Sequence, residues 1–467
     1  MRKHAKQVVV WHRLELTPII IATLISTCLA DVIRGPYLSF VHDPANSMVI
    51  NWGTDALSME SIAFGTDTLN MTVIDETTPD TMHYIELSGL LESTQYFYRV
   101  FCDSDTIAGN FWTAPLSSET YHIVAYGDSR TNPDRHGRVV ARYMQYPHRL
   151  ILNSGDLAYD GEIWEFDDYL FTPAAEAMLY SPYITCVGGH DADPWNTPPY
   201  YTFENYCSLM QFPGNELYFS FDYGPVHVTI LNSEVAWQYG PETIQTQWLM
   251  ADLVSTNQPY RIVMFHMPPY TSGTGNLSNM RIREHWCPIF IQHHVQMVIN
   301  GHQHFYQRCE PGDGIVYVIS GGGGAPLYAP TLDSSYVVSA CQAYHFIWLQ
   351  VNPDSITVTA IDTANTILDH FAVFPWSPII PEQVQNFTIQ YDTTGMYLHW
   401  DPVLQDIQGN PLAVDEYRIY RHSDSPDFVP DFSTFVTSTT DTFWVDTTAS
   451  LSADNAFYKL TAAMTSD

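Results

Sequence analysis

Lysine is almost missing from this chain: of 467 residues only Lys3, Lys6 and Lys459 are lysine, against 51 acidic residues and a formal net charge of −33. A surface so poor in cations repels polyanions, so non-specific binding to nucleic acid or anionic membranes is not expected, and solubility is favoured. No C-x-x-C pair occurs, which argues against a thiolate zinc site. Six cysteines follow residue 30 (Cys102, Cys186, Cys207, Cys287, Cys309 and Cys341), too few for a disulfide scaffold at this length. An oxidising compartment leaves pairing open to them, and sequence does not separate the fifteen full pairings. Beyond residue 30 no run is long and apolar enough to cross a bilayer, so no transmembrane anchor is expected there. The run Gly321–Gly324 lacks the lysine and Ser/Thr that close a nucleotide P-loop, and reads as backbone that packs closely near a site.

What is present falls into segments. Arg2, Lys3, Lys6 and Arg13 precede the apolar run from Pro18 to Ile25 and the small residues before Ala30. That pattern describes a secretory signal over residues 1–30, with a lipidated Cys28 as the lesser alternative, and makes the protein secreted, periplasmic or cell-surface. Residues 31–118 show short alternating runs broken by turns, as in an antiparallel β-sandwich with a positioning role. From 119 to 375 apolar strands alternate with helical segments at 135–145, 245–253 and 280–294, the pattern of an α/β domain with four α-β-β-α layers. A proline-rich linker at 376–382 leads to a second strand-and-turn series at 383–467. The fold class is therefore multidomain: a central α/β domain flanked by two all-β sandwiches. The last is expected to act as an accessory module that contacts a surface, a carbohydrate or a partner.

His302 and His304 follow the apolar run 295–299 and are separated by one residue, so in extended backbone both imidazoles point one way. Other metal-ligand types recur just after short apolar runs: Asp128, Asp156 with Tyr159, His190 with Asp191, and His266. In α/β sheets ligands gather at the carboxyl ends of strands, so these loops converge. Carboxylates and imidazoles suit zinc, manganese or ferrous iron, and a phenolate suits ferric iron. Two such cations can bind and polarise a phosphate and supply hydroxide near neutral pH. Arg130, two residues past Asp128, is a planar guanidinium suited to phosphate oxygens. Arg135, Arg138, Arg142 and Arg149 read as helix-surface residues in local ion pairs. His285, His293 and His294 read as packing or solvent-facing residues, and Cys186 as a buried or disulfide-bonded thiol with no partner base.

Taken together, Gly127-Asp128, Gly155-Asp156-Leu157-Ala158-Tyr159, Gly188-Gly189-His190-Asp191, Val263-Met264-Phe265-His266 and Gly301-His302-Gln303-His304 resemble, in order, the five metal-site blocks of a calcineurin-like metallophosphoesterase of the purple acid phosphatase type. The flanking segments resemble the fibronectin-like domain that precedes that catalytic domain and a fibronectin type III domain. The resemblance implies an acid phosphatase-like enzyme with two metal ions, Fe(III) and a divalent Fe, Zn or Mn. Asp128, Tyr159 and His304 would hold the first, His266 and His302 the second, and Asp156 would bridge. Metal-bound hydroxide would attack a phosphomonoester, with phosphodiesters or nucleotides as further substrates, and His190 would orient phosphate or protonate the leaving group.

Two positions depart from that pattern. The third block usually supplies an asparagine ligand to the divalent metal, but Gly189 stands there and has no side chain to coordinate. The second metal then binds weakly, completes its shell with water, or takes a donor such as Asp191 or Asn196. The loop 271–283 has no second histidine for phosphate. Gly189 therefore supports a rival reading, a metal-weakened and largely inactive homologue that acts as a surface- or partner-binding module.

Overall fold

A computed structural model of the chain describes residues 30–463 except 103–104, 195–200, 236–237, 274–276, 333, 377–380, 393, 407–408, 410, 424, 428–429, 431–433 and 449–455. Residues 1–29 of the signal expected at 1–30, with Cys28, the candidate donor Asn196 and residues 377–380 of the expected linker thus lie outside the described residues. The chain divides into two compact units, up to Phe374 and from Pro375 onward.

The first unit opens with seven strands: β1 (Val32–Ser39), β2 (Ser47–Ser58), β3 (Ser61–Gly65), β4 (Thr72–Asp75), β5 (Asp80–Ser88), β6 (Gln95–Phe101) and β7 (Thr106–Trp112). They pair into two antiparallel sheets, β1-β2-β5 and β4-β3-β6-β7. Alternation in β6 buries Tyr96, Tyr98 and Val100, which meet Leu38, Ile50 and Trp52 of the other sheet in one apolar core. Arg34 of β1 is bidentate to Asp167, with Nε–Oδ1 at 2.5 Å and Nη2–Oδ2 at 2.8 Å, and the Tyr98 hydroxyl donates to the Leu179 carbonyl at 3.1 Å. These bonds anchor the seven strands to residues 167–179 of the central segment, which is why both belong to the same unit.

Thirteen strands come next: β8 (Tyr121–Tyr126), β9 (Leu150–Asn153), β10 (Tyr183–Thr185), β11 (Phe219–Tyr223), β12 (Val226–Ile230), β13 (Tyr260–Met264), β14 (Met297–Asn300), β15 (Tyr306–Cys309), β16 (Val316–Ser320), β17 (Val337–Cys341), β18 (His345–Val351), β19 (Ile356–Asp362) and β20 (Ile367–Val373). They form sheets ordered β10-β9-β8-β18-β19-β20 and β11-β12-β13-β14-β16-β15-β17. Strands β8 to β10, and β12, β13, β14 and β16, run parallel. The helices are α1 (Pro133–Tyr143), α2 (Ile163–Phe166), α3 (Thr172–Met178), α4 (Glu204–Leu209), α5 (Ile244–Ser255), α6 (Met280–His285) and α7 (Cys287–Gln292), with a π-turn at Asp167–Phe171. Ile262, Met264, Met297 and Ile299 share one core with β8 residues and with Val139, Val140 and Tyr143 of α1. Their alternates Val263 and Val298 join Leu249, Leu253, Trp286 and Phe290 on the opposite face. Period-two alternation thus puts two sheets between two helical layers, the α/β arrangement expected of the central segment.

Residues 280–294 do not form the single helix that their pattern predicts. Pro288 has no backbone N–H to extend a preceding helix, so α6 ends at His285 and α7 restarts with proline in its first turn. Cys186, Cys207, Cys287, Cys309 and Cys341 are free thiols, in keeping with too few cysteines for a disulfide scaffold. Among the described residues no helix is long and apolar enough to cross a membrane.

The second unit holds β21 (Thr388–Asp392), β22 (Gly395–His399), β23 (Glu416–His422), β24 (Phe435–Thr439), β25 (Phe443–Asp446) and β26 (Phe457–Ala463), in sheets β21-β22-β25 and β24-β23-β26. Leu398, Trp400, Tyr417, Ile419 and Tyr458 make its core.

Candidate metal centre

Every ligand-type residue singled out in the sequence follows the carboxyl end of a parallel strand. Asp128 follows β8, Asp156 follows β9, His190 follows β10, His266 follows β13, and His302 and His304 follow β14. The loops are tightly drawn. Asp128, Asp156 and His302 adopt left-handed backbone, with φ of 58°, 59° and 69°, which costs a non-glycine residue about 1 kcal/mol. Such strain persists where the surroundings over-determine it, typically at ligand sites. Glycine supplies the remaining space: a Cβ at Gly188 would lie 2.3 Å from Asp156 Oδ1, and one at Gly321 would lie 2.7 Å from Asp128 Oδ2. The close packing expected of the Gly321 run is thus packing against a ligand-type carboxylate.

The result is a buried cluster in which donor atoms of Asp128, Asp156 and His304 all lie within 4.8 Å of one another. His304 Nε2 is 3.3 Å from Asp128 Oδ1, and His266 Nε2 is 3.4 Å from Asp156 Oδ1. Both rings are oriented from behind, His304 Nδ1 by the Pro326 carbonyl at 2.7 Å and His266 Nδ1 by the Ser154 carbonyl at 2.8 Å. A carbonyl accepts only from N–H, so each Nδ1 carries a hydrogen and each Nε2 faces the carboxylates, where a cation would take the place of any Nε2 proton. His266 Nε2 is buried and makes no hydrogen bond, an orphan that a cation would satisfy. His302 lies edge-on to His266, ring centroids 5.2 Å apart, and its backbone N–H donates to both Asp128 oxygens. The donor set therefore fits metal ions.

Charge within the cluster is uneven. Burial opposes ionisation of Asp156, but His266, His190 and Arg130 outweigh it and hold its carboxyl well below the usual range. Burial likewise opposes charge on His266, yet Asp156, Asp128 and Glu234 hold it well above the ordinary histidine range. Burial and the neighbouring His266 push His302 down to about 4, leaving it neutral.

The remaining expected residues sit around this core. His190 N–H donates to Asp156 Oδ1 at 3.0 Å, its Nδ1 pairs with the Tyr159 carbonyl at 2.5 Å, and its ring stacks on Tyr159 with centroids 5.2 Å apart. Tyr159 is 44% exposed, with the Arg130 guanidinium 5.4 Å from its ring centroid. Arg130 Nε donates to Asp156 Oδ2 at 3.1 Å. Three of the other four arginines have local roles: Arg142 bonds the Thr363 carbonyl, Arg149 stacks on Trp112 and pairs with Glu119, and Arg135 lies over Tyr344. His285, His293 and His294 lie outside the cluster, half-buried, and Cys186 is buried with its thiol held well above the ordinary range by burial.

Asp191, a candidate replacement donor, is otherwise engaged. Its Oδ2 accepts from the N–H groups of Asp156 (2.9 Å) and Gly188 (2.8 Å), and its Oδ1 from those of Leu157 (2.6 Å) and Ala158 (3.0 Å). Four donors fill a carboxylate's lone-pair directions, so Asp191 clamps the Asp156 loop and has none left for a metal. Glu165 holds the next turn, accepting from Tyr159, Asp160 and Glu162 N–H groups. Glu234, 5% exposed, completes the surroundings, and burial pushes its carboxyl up to about 7. Glu234 is absent from the residues singled out in the sequence, although Asn232-Ser233-Glu234 follows the β12 run just as the other ligand loops follow theirs.

Comparison with known proteins agrees with this geometry. Residues 122–306 match the family model described as calcineurin-like phosphoesterase, so the chain carries a domain of that kind. An uncharacterized protein of Mycobacterium tuberculosis is 26% identical over 336 residues, covering 60% of this chain and 63% of that one. A phosphoenolpyruvate phosphatase of Allium cepa is 27% identical over 320 residues, covering 62% and 63%, and human acid phosphatase type 7 is 27% identical over 262 residues, covering 49% and 57%. The chain thus spans less than two thirds of the length of these relatives. Among solved structures, a purple acid phosphatase from yellow lupin seeds shares the fold with a TM-score of 0.65 at 17% identity, over 73% of this chain and 74% of that one.

Proposed function

We propose that this chain is an exported binuclear metal-dependent phosphoesterase, acid phosphatase-like, that hydrolyses phosphomonoesters. One observation carries the proposal: Asp128, Asp156 and His304 converge within 4.8 Å while the buried Nε2 of His266, beside Asp156, has no hydrogen bond. Phosphatases among the relatives and in the fold comparison support the reaction class. Asp128, Tyr159 and His304 would hold Fe(III), His266 and His302 a divalent Fe, Zn or Mn, and Asp156, beside His266 and with a donor atom within 4.8 Å of those of Asp128 and His304, would serve both. Such ions supply Lewis acidity to phosphoryl oxygens and ionise water near neutral pH. The protein's own groups do the rest. The Pro326 and Ser154 carbonyls fix the ligand imidazoles, which removes reorganisation from the reaction. His190 donates its Nδ1–H to the Tyr159 carbonyl, and in the imidazolium form its Nε2–H would give a proton to the leaving oxygen.

Arg130 would bind a phosphate oxygen beside Asp156. A charge-assisted bond contributes about 1.5–3 kcal/mol, so Arg130→Ala should raise the inhibition constant of inorganic phosphate about tenfold or more. Unchanged inhibition would remove Arg130 from the substrate site. The flanking β-sheet regions are read as fibronectin-like modules, the C-terminal one as an accessory surface contact.

The decisive assay is hydrolysis of p-nitrophenyl phosphate by the full chain, beside its metal content. Protein that retains fewer than two metals and hydrolyses no ester after supplementation with Fe, Zn and Mn would overturn the proposal. That outcome would favour the second reading, an inactive binding homologue, for which Gly189 is the specific observation.

A further inference from the structure

Gly189 leaves a gap in the ligand set on the side of His266 and His302, and the structure fills that space from another strand. A Cβ built at Gly189 would lie 2.9 Å from Glu234 Oε2 and 3.8 Å from Glu234 Cδ. The volume that a side chain at 189 would enter is therefore held by a carboxylate oxygen. Glu234 arrives there because β12 and β13 are parallel neighbours in register, Ile230 opposite Met264, and Leu231 N–H donates to the Met264 carbonyl at 3.0 Å. The loops after these two strands carry Glu234 and His266 respectively.

Residues 232–234 are held by a set of hydrogen bonds. Asn232 is held at both backbone groups by Gln245 of α5, its N–H donating to Oε1 at 2.8 Å and its carbonyl accepting from Nε2 at 2.9 Å. Asn232 Oδ1 accepts the Glu234 N–H at 2.9 Å, and the Ser233 hydroxyl donates to Glu234 Oε1 at 3.1 Å while accepting the Met267 N–H at 2.9 Å. That last bond ties the Glu234 loop directly to the His266 loop. Oε1 is thereby fixed, and Oε2 is the oxygen turned toward Gly189. A buried carboxylate with one oxygen so placed, near an imidazole whose Nε2 has no hydrogen bond, is a donor set in want of a cation.

We infer that Glu234 is the ligand that replaces the expected asparagine, holding the divalent ion with His266 and His302 through Oε2. Gly189 is then the small residue that this carboxylate requires, and the two positions form one exchanged pair. The inference rests on the two-metal reading. It also changes the site's charge, because an anionic carboxylate stands where the family pattern has a neutral amide.

The test is calorimetric titration of the metal-stripped full chain with Zn(II) and Mn(II), beside metal content by mass spectrometry and a thermal melt. The parent should take two ions. Glu234→Gln should keep one and bind the second roughly 100-fold more weakly, since even outer partners of metal ligands contribute 10- to 100-fold. Gly189→Asn in the parent should not tighten the second ion, because the new side chain meets Glu234, whereas Gly189→Asn combined with Glu234→Ala should restore two ions. Parental affinity for the second ion in Glu234→Gln would overturn the inference. Should that variant fail to fold, Glu234→Asp, one methylene shorter, should weaken the second ion about tenfold, and parental affinity there would overturn it equally. A parent that binds fewer than two ions would overturn the two-metal reading and this inference with it.

Discussion

Asp156→Asn is expected to lower kcat/KM for p-nitrophenyl phosphate by roughly 10³-fold and to leave fewer than two metals per chain. The expectation rests on where the carboxylate stands. Its Oδ1 faces His266 Nε2 at 3.4 Å and accepts the His190 N–H at 3.0 Å, while Oδ2 accepts from Arg130 at 3.1 Å. Its donor atom also lies within 4.8 Å of those of Asp128 and His304. One side chain thus touches both proposed metal positions, the proposed proton donor His190 and the arginine proposed to bind phosphate. An amide keeps the shape but loses the charge that balances two cations. A melting temperature close to the parent's would show that the loss is chemical and not a failure to fold. Retention of both metals with activity within tenfold of the parent would remove Asp156 from its bridging role.

Asp191→Ala is expected to destabilise the first unit by about 4 kcal/mol, from about 1 kcal/mol for each of four buried N–H groups left without an acceptor. Those groups belong to Asp156, Leu157, Ala158 and Gly188, so the change strikes two ligand loops at once. Activity should fall with stability, because Asp156 and the backbone that carries His190 both lose their anchor. Denaturant melts of the metal-stripped protein measure the effect without contribution from bound ions. A variant within about 1 kcal/mol of the parent would show that water replaces the carboxylate, and the clamp would have to be assigned elsewhere. Such a loss would also separate Asp191 from the metal ligands proper: removing a ligand weakens metal binding, whereas removing this clamp weakens the fold before any metal is added.

Much of the centre was legible in the chain because its signals are local. A short apolar run followed at once by Asp128, Asp156, His266 or His302 marks the end of a buried strand, and parallel strands deliver such ends to one edge of a sheet. The helix at 135–145 was readable for the same reason; it is α1, two residues earlier, because Asn132 caps it through Arg135 N–H. The helix expected at 280–294 is split in two by Pro288, whose missing N–H is itself a local signal. Residues 163–178 lie outside the helices that the sequence pattern predicts, and they form α2, a π-turn and α3, held against β1 by Asp167 and Arg34. That contact joins positions far apart in the chain and leaves no periodic trace.

The sequence by itself determined the buried strands that precede the site loops, β8, β9, β10, β13 and β14, that their ends carry carboxylates and imidazoles, and the class of chemistry such a set performs, since each of these depends on residues only a few positions apart. The tertiary structure alone decided that Asp191 is a clamp and that Glu234 fills the place beside Gly189. Gly189 and Glu234 are 45 positions apart, counted as 234 less 189, and end different sheets. Their approach to 2.9 Å is set by sheet order and layer packing, which no stretch of chain encodes alone.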